Sequence, residues 1–159
     1  MMKISISLAA ILICFFQLAL VDANVIDDEC PKTPNPDLCF TCLKPYYQTH
    51  DPPSVRELAI VMVSTALVNK VHPAIDKINE LRKQTPRSEA LRKCAHNFQL
   101  IKDNRITVFR ASFAKSDYGA AASALSSVVP LSDECLIDYC TDVKNIAIVA
   151  AALVKDIPK

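Results

Sequence analysis

The cysteines are the residues of this chain whose type and spacing most readily do chemistry. Cys39-Phe-Thr-Cys42 is a C-x-x-C pair, a spacing shared by redox dithiols and zinc ligands because it lets two sulfurs converge on one partner. The redox form belongs to a βαβ context, and the surrounding sequence has no such pattern. Zinc would need two further thiolates, which Cys135 and Cys140 could supply. Yet Cys30, Cys39, Cys42, Cys94, Cys135 and Cys140 form an even set beyond the N-terminal apolar stretch. In an oxidising compartment such a set reads first as a disulfide framework, whose connectivity spacing alone leaves open. No metal and no cofactor are expected.

Other reactive side chains form no constellation. His50, His72 and His96 lack a ligand-type partner one helical turn away, so surface or packing roles are expected for them. Glu57, Asp76, Glu80, Glu89 and Asp103 are scattered. Asp76 and Glu80 share a helix face, but Lys77, Arg82 and Lys83 surround them as on an ordinary solvated face. A phosphate-cradling loop needs several glycines, and Gly119 is the single glycine of the chain. No serine sits in a nucleophile elbow. The chain reads as one that binds, not as an enzyme.

The elements that position these residues are helices. Hairpins and strand turns need many glycines, and this sequence lacks them. Alanine, leucine and long charged residues fill the stretches between prolines, as helices prefer. Lys3, the apolar run after it and Val21-Asp22-Ala23 predict a signal peptide over 1–23, cleaved after Ala23, which also removes Cys14. Residues 24–159 are then one domain. Its first part, 24–53, is a proline-rich arm, and 54–159 is the body.

Four amphipathic helices are expected in that body. The first starts at Ser54, with Glu57 in capping-box spacing, and Pro73 should kink or restart it. The second starts at Thr85-Pro86 and carries Leu91, Cys94, Phe98, Ile101, Val108, Phe109 and Phe113. The third starts at Ser116-Asp117, is interrupted by Pro130 and continues from Ser132-Asp133. The last opens at Thr141, with Ile146, Val149, Leu153 and Ile157 on one face. Short connections make this an all-α, up-down-up-down four-helix bundle with an N-terminal arm. The formal net charge of +1 gives no reason to expect nucleic-acid or anionic-membrane binding. The run 146–154 is too short to span a bilayer, so no membrane attachment is expected after cleavage. No Asn-x-Ser/Thr sequon occurs.

In such a bundle, Cys94 near the start of the second body helix and Cys135 near the end of the third lie at the same end, where a bridge is reasonable. Cys30 and Cys39 bracket a proline-rich turn and could close a small loop. Cys42 and Cys140 are left as a third pair, two thiols or an intermolecular link.

An ordered set of short motifs resembles the plant invertase and pectin methylesterase inhibitors. It comprises Cys30-Pro-Lys-Thr33, Pro36-Asp-Leu-Cys39, Leu58-Ala-Ile-Val-Met-Val63, Ala90-Leu-Arg-Lys-Cys94, Asp117-Tyr118 with 120–125, and Asp133-Glu-Cys135. The resemblance covers Cys30 to about Val154. It implies a four-helix bundle with a helical hairpin arm and the bridges Cys30–Cys39 and Cys94–Cys135. It also implies 1:1 blockade of a cell-wall or vacuolar enzyme by a secreted, monomeric inhibitor in the apoplast, with the vacuole as an alternative.

Within that family, esterase inhibitors use polar faces of the bundle helices. Invertase inhibitors present Pro-Lys-Phe from the turn before the third body helix. Here that turn reads Lys115-Ser-Asp-Tyr-Gly-Ala120, so the resemblance points to pectin methylesterase as partner, with acid invertase as the alternative. Lys102, Asp103, Arg105 and Thr107, with Asp117 and Tyr118, are the candidate target-binding residues. The segment after Cys135 is shorter than the family's. Two other readings are a carrier of small apolar ligands and a non-inhibitory protein that retains the fold. The carrier reading lacks the adjacent cysteines and C-x-C of lipid-transfer proteins.

Overall fold

The computed structural model describes residues 25–47, 54–135 and 137–158. The expected signal peptide and His50 lie outside them. Described residues are helical, with no strand among them. The arm is a helical hairpin of α1 (Val25–Glu29) and α2 (Pro36–Leu43). Asn35 caps α2 by accepting the Leu38 N–H at 3.1 Å, and Pro36 follows at the first helical position. A bridge between Cys30 and Cys39 closes the hairpin, with both sulfurs fully buried. Thr33 donates its hydroxyl to the Cys30 carbonyl at 2.8 Å and fixes the turn.

The bundle begins with α3 (Val55–Gln84). Ser54 and Glu57 form the reciprocal capping box that their spacing predicts. Pro73 lies inside α3 without ending it. The irregularity lies upstream, where Met62–Leu67 is a wide π-type turn. This turn moves the buried face. A regular helix would bury Val61, Thr65 and Val68, but the fully enclosed residues are Leu58, Ala59, Met62, Val63, Leu67, Val71 and Ala74. By length and composition α3 could cross a bilayer, and this inward stripe is what makes it so apolar.

Thr85 does not start the next helix. Its N–H and hydroxyl both donate to the Leu81 carbonyl, so it closes α3. Ser88 takes the capping role, accepting the Leu91 N–H at 3.3 Å, and α4 runs over 89–114. A second π-type turn, Ile101–Arg105, interrupts α4. Its core positions therefore pass from Ile101 to Ile106 in a step of five. Val108, expected inside, is 40 % exposed, and Phe109 alone takes the core position.

α5 (Tyr118–Ser126) and α6 (Val128–Asp133) form the third rod, with Pro130 tolerated in the first turn of α6. α6 stops at Asp133. The last helix, α7 (Asp138–Lys155), starts three residues before Thr141, and Asp138 in its first turn suits the helix dipole there. α7 packs against α3, α5 and α6 and fills the centre with Val143, Ile146, Val149, Leu153 and Val154. The result is an all-α up-down-up-down bundle of α3, α4, α5–α6 and α7, with the arm laid against α3 and α7. The Cys94–Cys135 bridge joins α4 to the segment that follows α6.

Candidate functional site

The expected polar cluster divides when placed on the fold. Lys102, Asp103 and Thr107 line one open groove of about 330 Å³ between the middles of α3 and α4. Val68, Val71 and Ile106 provide its apolar lining, and His72 and Arg110 join the polar rim. The π-type turn in α4 presents Lys102 and Asp103 here, one turn before Thr107. Asp103 accepts a 2.6 Å hydrogen bond from the Gln99 amide, which orients its carboxylate. Among the described residues Lys102 and Arg110 form no ion pair, so their donors are available to a partner. The groove thus combines two cations, one carboxylate, one hydroxyl and an imidazole over an apolar floor. Such a surface suits a polar protein edge bearing carboxylates and carbonyls.

Arg105 does not belong to it. The side chain is half-buried on another face of α4, and its Nε lies inside without a hydrogen-bond partner among the described residues. Asp117 and Tyr118 are also elsewhere, where α5 begins. Asp117 caps α5 by accepting the Ala120 N–H at 3.0 Å. Tyr118 packs edge-on against Phe113, with ring centroids 5.4 Å apart. Arg56 lies 5.0 Å from the centre of the same Phe113 ring. Hydrogen bonds from Ser116 and then Arg56 hold the Tyr118 phenol below its usual range. This ring therefore has its partners within the bundle.

The sequence reading missed His72, Arg110 and Arg56. Arg110 was detectable, since Asp103, Thr107 and Arg110 repeat at four and three residues on one helix face. His72 and Arg56 reach their places only through packing of α3 on α4, which no local spacing reveals. His96 is also exposed, and lines a second groove with Arg82 and Arg92 between the far ends of the same helices.

The sulfur chemistry is redistributed as well. The four-thiol zinc set of Cys39, Cys42, Cys135 and Cys140 is not assembled, because Cys39 is bridged to Cys30 and Cys135 to Cys94. Cys42 and Cys140 are free thiols. Half-buried Cys42 lies beside Lys70 and Asp142, and burial pushes its thiol up. Lys70 and Asp142 pair with each other at 2.8 Å.

The sequence model of the plant invertase/pectin methylesterase inhibitor family matches residues 24–153. No curated protein matches the sequence. Among solved structures, a mutant form of a pectin methylesterase inhibitor from Arabidopsis superposes with a TM-score of 0.72 at 18 % identity, covering 86 % of this chain and 99 % of that one. A pectin methylesterase inhibitor from Arabidopsis thaliana gives 0.61 at 19 % identity, over 87 % and 99 %. These two share the fold, and the family match spans nearly all of the described residues. The chain belongs to the plant invertase/pectin methylesterase inhibitor family.

Proposed function

We propose that this protein is a secreted, non-enzymatic inhibitor that binds pectin methylesterase one-to-one through the α3–α4 groove. The observation that carries the reading is the groove itself. It places unpaired Lys102 and Arg110 beside an oriented Asp103, Thr107 and His72 on two rigid helices, so a partner meets a prearranged surface at little entropic cost. Family membership supports inhibition as the activity, and the two structural relatives, both pectin methylesterase inhibitors, support the esterase as target. The start of α5 supports the same choice. It lacks Pro-Lys-Phe, and its one ring, Tyr118, packs edge-on against Phe113, a contact it would have to give up to enter a sugar pocket. The N-terminal apolar stretch and the two bridges support export with cleavage after Ala23.

Titration of the mature protein into a pectin methylesterase assay and an acid invertase assay tests this. Saturable loss of esterase activity at one equivalent is the expected result. Inhibition of invertase alone overturns the target, and no inhibition of either overturns the function. Replacing Lys102, Asp103, Thr107 and Arg110 together by Ala should weaken esterase inhibition roughly ten- to a hundredfold or more, since one charge-assisted contact is worth about 1.5–3 kcal/mol. Arg105→Ala should leave inhibition nearly unchanged. A folded quadruple variant with wild-type inhibition places the contact elsewhere.

A further inference from the structure

Cys140 is a buried nucleophile for which inhibition has no use. It is 1 % exposed and carries a free thiol, yet its Sγ, the Cys94 Sγ and the Cys135 Sγ all lie within 4.8 Å of one another. Cys94 and Cys135 are bridged. A disulfide and a third sulfur are therefore packed together in one enclosed pocket. Such proximity is the first requirement of thiol–disulfide exchange, in which a thiolate attacks one sulfur of an existing bridge, and a small shift of the Cys140 side chain would bring it into line.

We propose that Cys140 is an internal exchange thiol, through which the Cys94–Cys135 disulfide migrates within this three-sulfur cluster. In the favoured direction the Cys140 thiol gives up its proton and its sulfur attacks the Cys94 Sγ. The Cys94–Cys140 bond forms, the Cys94–Cys135 bond breaks, and the electron pair leaves on the Cys135 Sγ, which takes up a proton. One disulfide and one thiol exist before and after, so neither oxidant nor reductant is consumed.

Two features select Cys135 as the leaving sulfur. At 6 % exposed it is the most solvent-accessible of the three, against 2 % for Cys94 and 1 % for Cys140. It also stands between α6 and α7, whereas Cys94 and Cys140 are held in α4 and α7. After exchange the covalent tie runs directly from α4 to α7. Cys135 becomes the free thiol, in the segment between α6 and α7. Burial pushes the Cys140 thiol up to about 11, so its thiolate is scarce and the original bridge is long-lived. The charged neighbours in sequence, Lys93 and Glu134, are exposed and paired with each other at 3.2 Å.

The test uses the oxidised mature chain, from Asn24, carrying Cys42→Ser, which removes the other thiol that is free among the described residues. The protein is held native at pH 8.5, and samples are blocked with N-ethylmaleimide at intervals. They are then digested without reduction and mapped by mass spectrometry. A Cys94–Cys140 peptide should accumulate together with maleimide on Cys135, at a rate independent of protein concentration. A Cys135–Cys140 peptide would support exchange within the cluster but overturn Cys135 as the leaving sulfur. Cys94–Cys135 as the sole linkage after days, with Cys140 labelled only on unfolding, overturns the proposal. So does a rate that rises with protein concentration, which marks exchange between molecules. Should Cys42→Ser fail to fold, the same mapping on the wild-type chain, with the Cys42 label followed separately, decides the question.

Discussion

Gly119 would be expected to loosen the turn before α5, because glycine is the residue that most readily leaves helical space. The structure assigns the turn to other residues. Ser116 takes the left-handed conformation at φ 59°, Asp117 caps, and Gly119 lies inside the first turn of α5 without a positive φ. A Cβ built on Gly119 would meet only the Asp117 Oδ1, at an ordinary 3.7 Å. Gly119→Ala should therefore stabilise the fold by about 0.5 kcal/mol, since alanine loses less backbone freedom in a helix. Chemical denaturation measures it, and a destabilised variant would show that the position needs glycine. Asp117→Ala should cost about 1 kcal/mol by removing the cap, with little effect on the proposed esterase inhibition. At this scale spacing predicted chemistry along a single helix, which is why Lys102, Asp103 and Thr107 fall together. Arg105, the last residue of the π-type turn, does not line the groove with them.

The elements were legible because their signals are local. Ser54 with Glu57 and the apolar periods each act within a few residues, and the bundle follows from four such periods joined by short turns. The two π-type turns were not legible, because each inserts a residue into one helix only where packing against neighbours repays the distorted ladder. They shift the core register in α3 and α4 at the level of the groove, which is why Val61 and Val68 of α3 are only half-buried. The helix starts at Ser88 and Asp138 were missed for another reason. Thr85 and Ser88 offer equivalent hydroxyls, and Ser88 is the one that caps, whereas α7 starts after Ile137 with no side-chain cap at all, so neither start carries a local signal that singles it out. The two bridges also belong to this scale. Cys94–Cys135 closes a separation of 41 residues and Cys30–Cys39 one of 9. The chain-entropy relation then gives about 4 and about 3 kcal/mol. Cys94→Ala with Cys135→Ala should thus lower stability more than Cys30→Ala with Cys39→Ala, as read from urea midpoints. The reverse order would mean that the arm, not the core, limits stability.

Across the whole molecule, the charge pattern sets a pH window for stability. Glu134 accepts a 2.6 Å hydrogen bond from Asn97 of α4 and pairs with Lys93, and these hold its carboxyl below the usual 4.5. Lys77 does the same for Glu80 within α3. A carboxyl with a depressed folded pKa adds stability that is complete above the unfolded value and is lost as pH falls through the folded one. The opposite arm comes from lysines. Glu29 raises Lys32, Asp142 raises Lys70 and Glu80 raises Lys77, each above 10.5, and each mainly through a side-chain hydrogen bond. Their contribution is complete below 10.5 and is lost as pH rises through the raised values. Exposed pairs of this kind are individually weak, so the bundle and its bridges should keep stability flat between about 4.5 and 10.5. Thermal unfolding measured from pH 2.5 to 8 should show a plateau with an acid decline beginning below 4.5. Glu134→Gln should reduce the decline, because the amide oxygen still accepts from Asn97 but no longer titrates. An unchanged decline in that variant would move the acid sensitivity to carboxylates other than the one that ties α4 to the segment after α6.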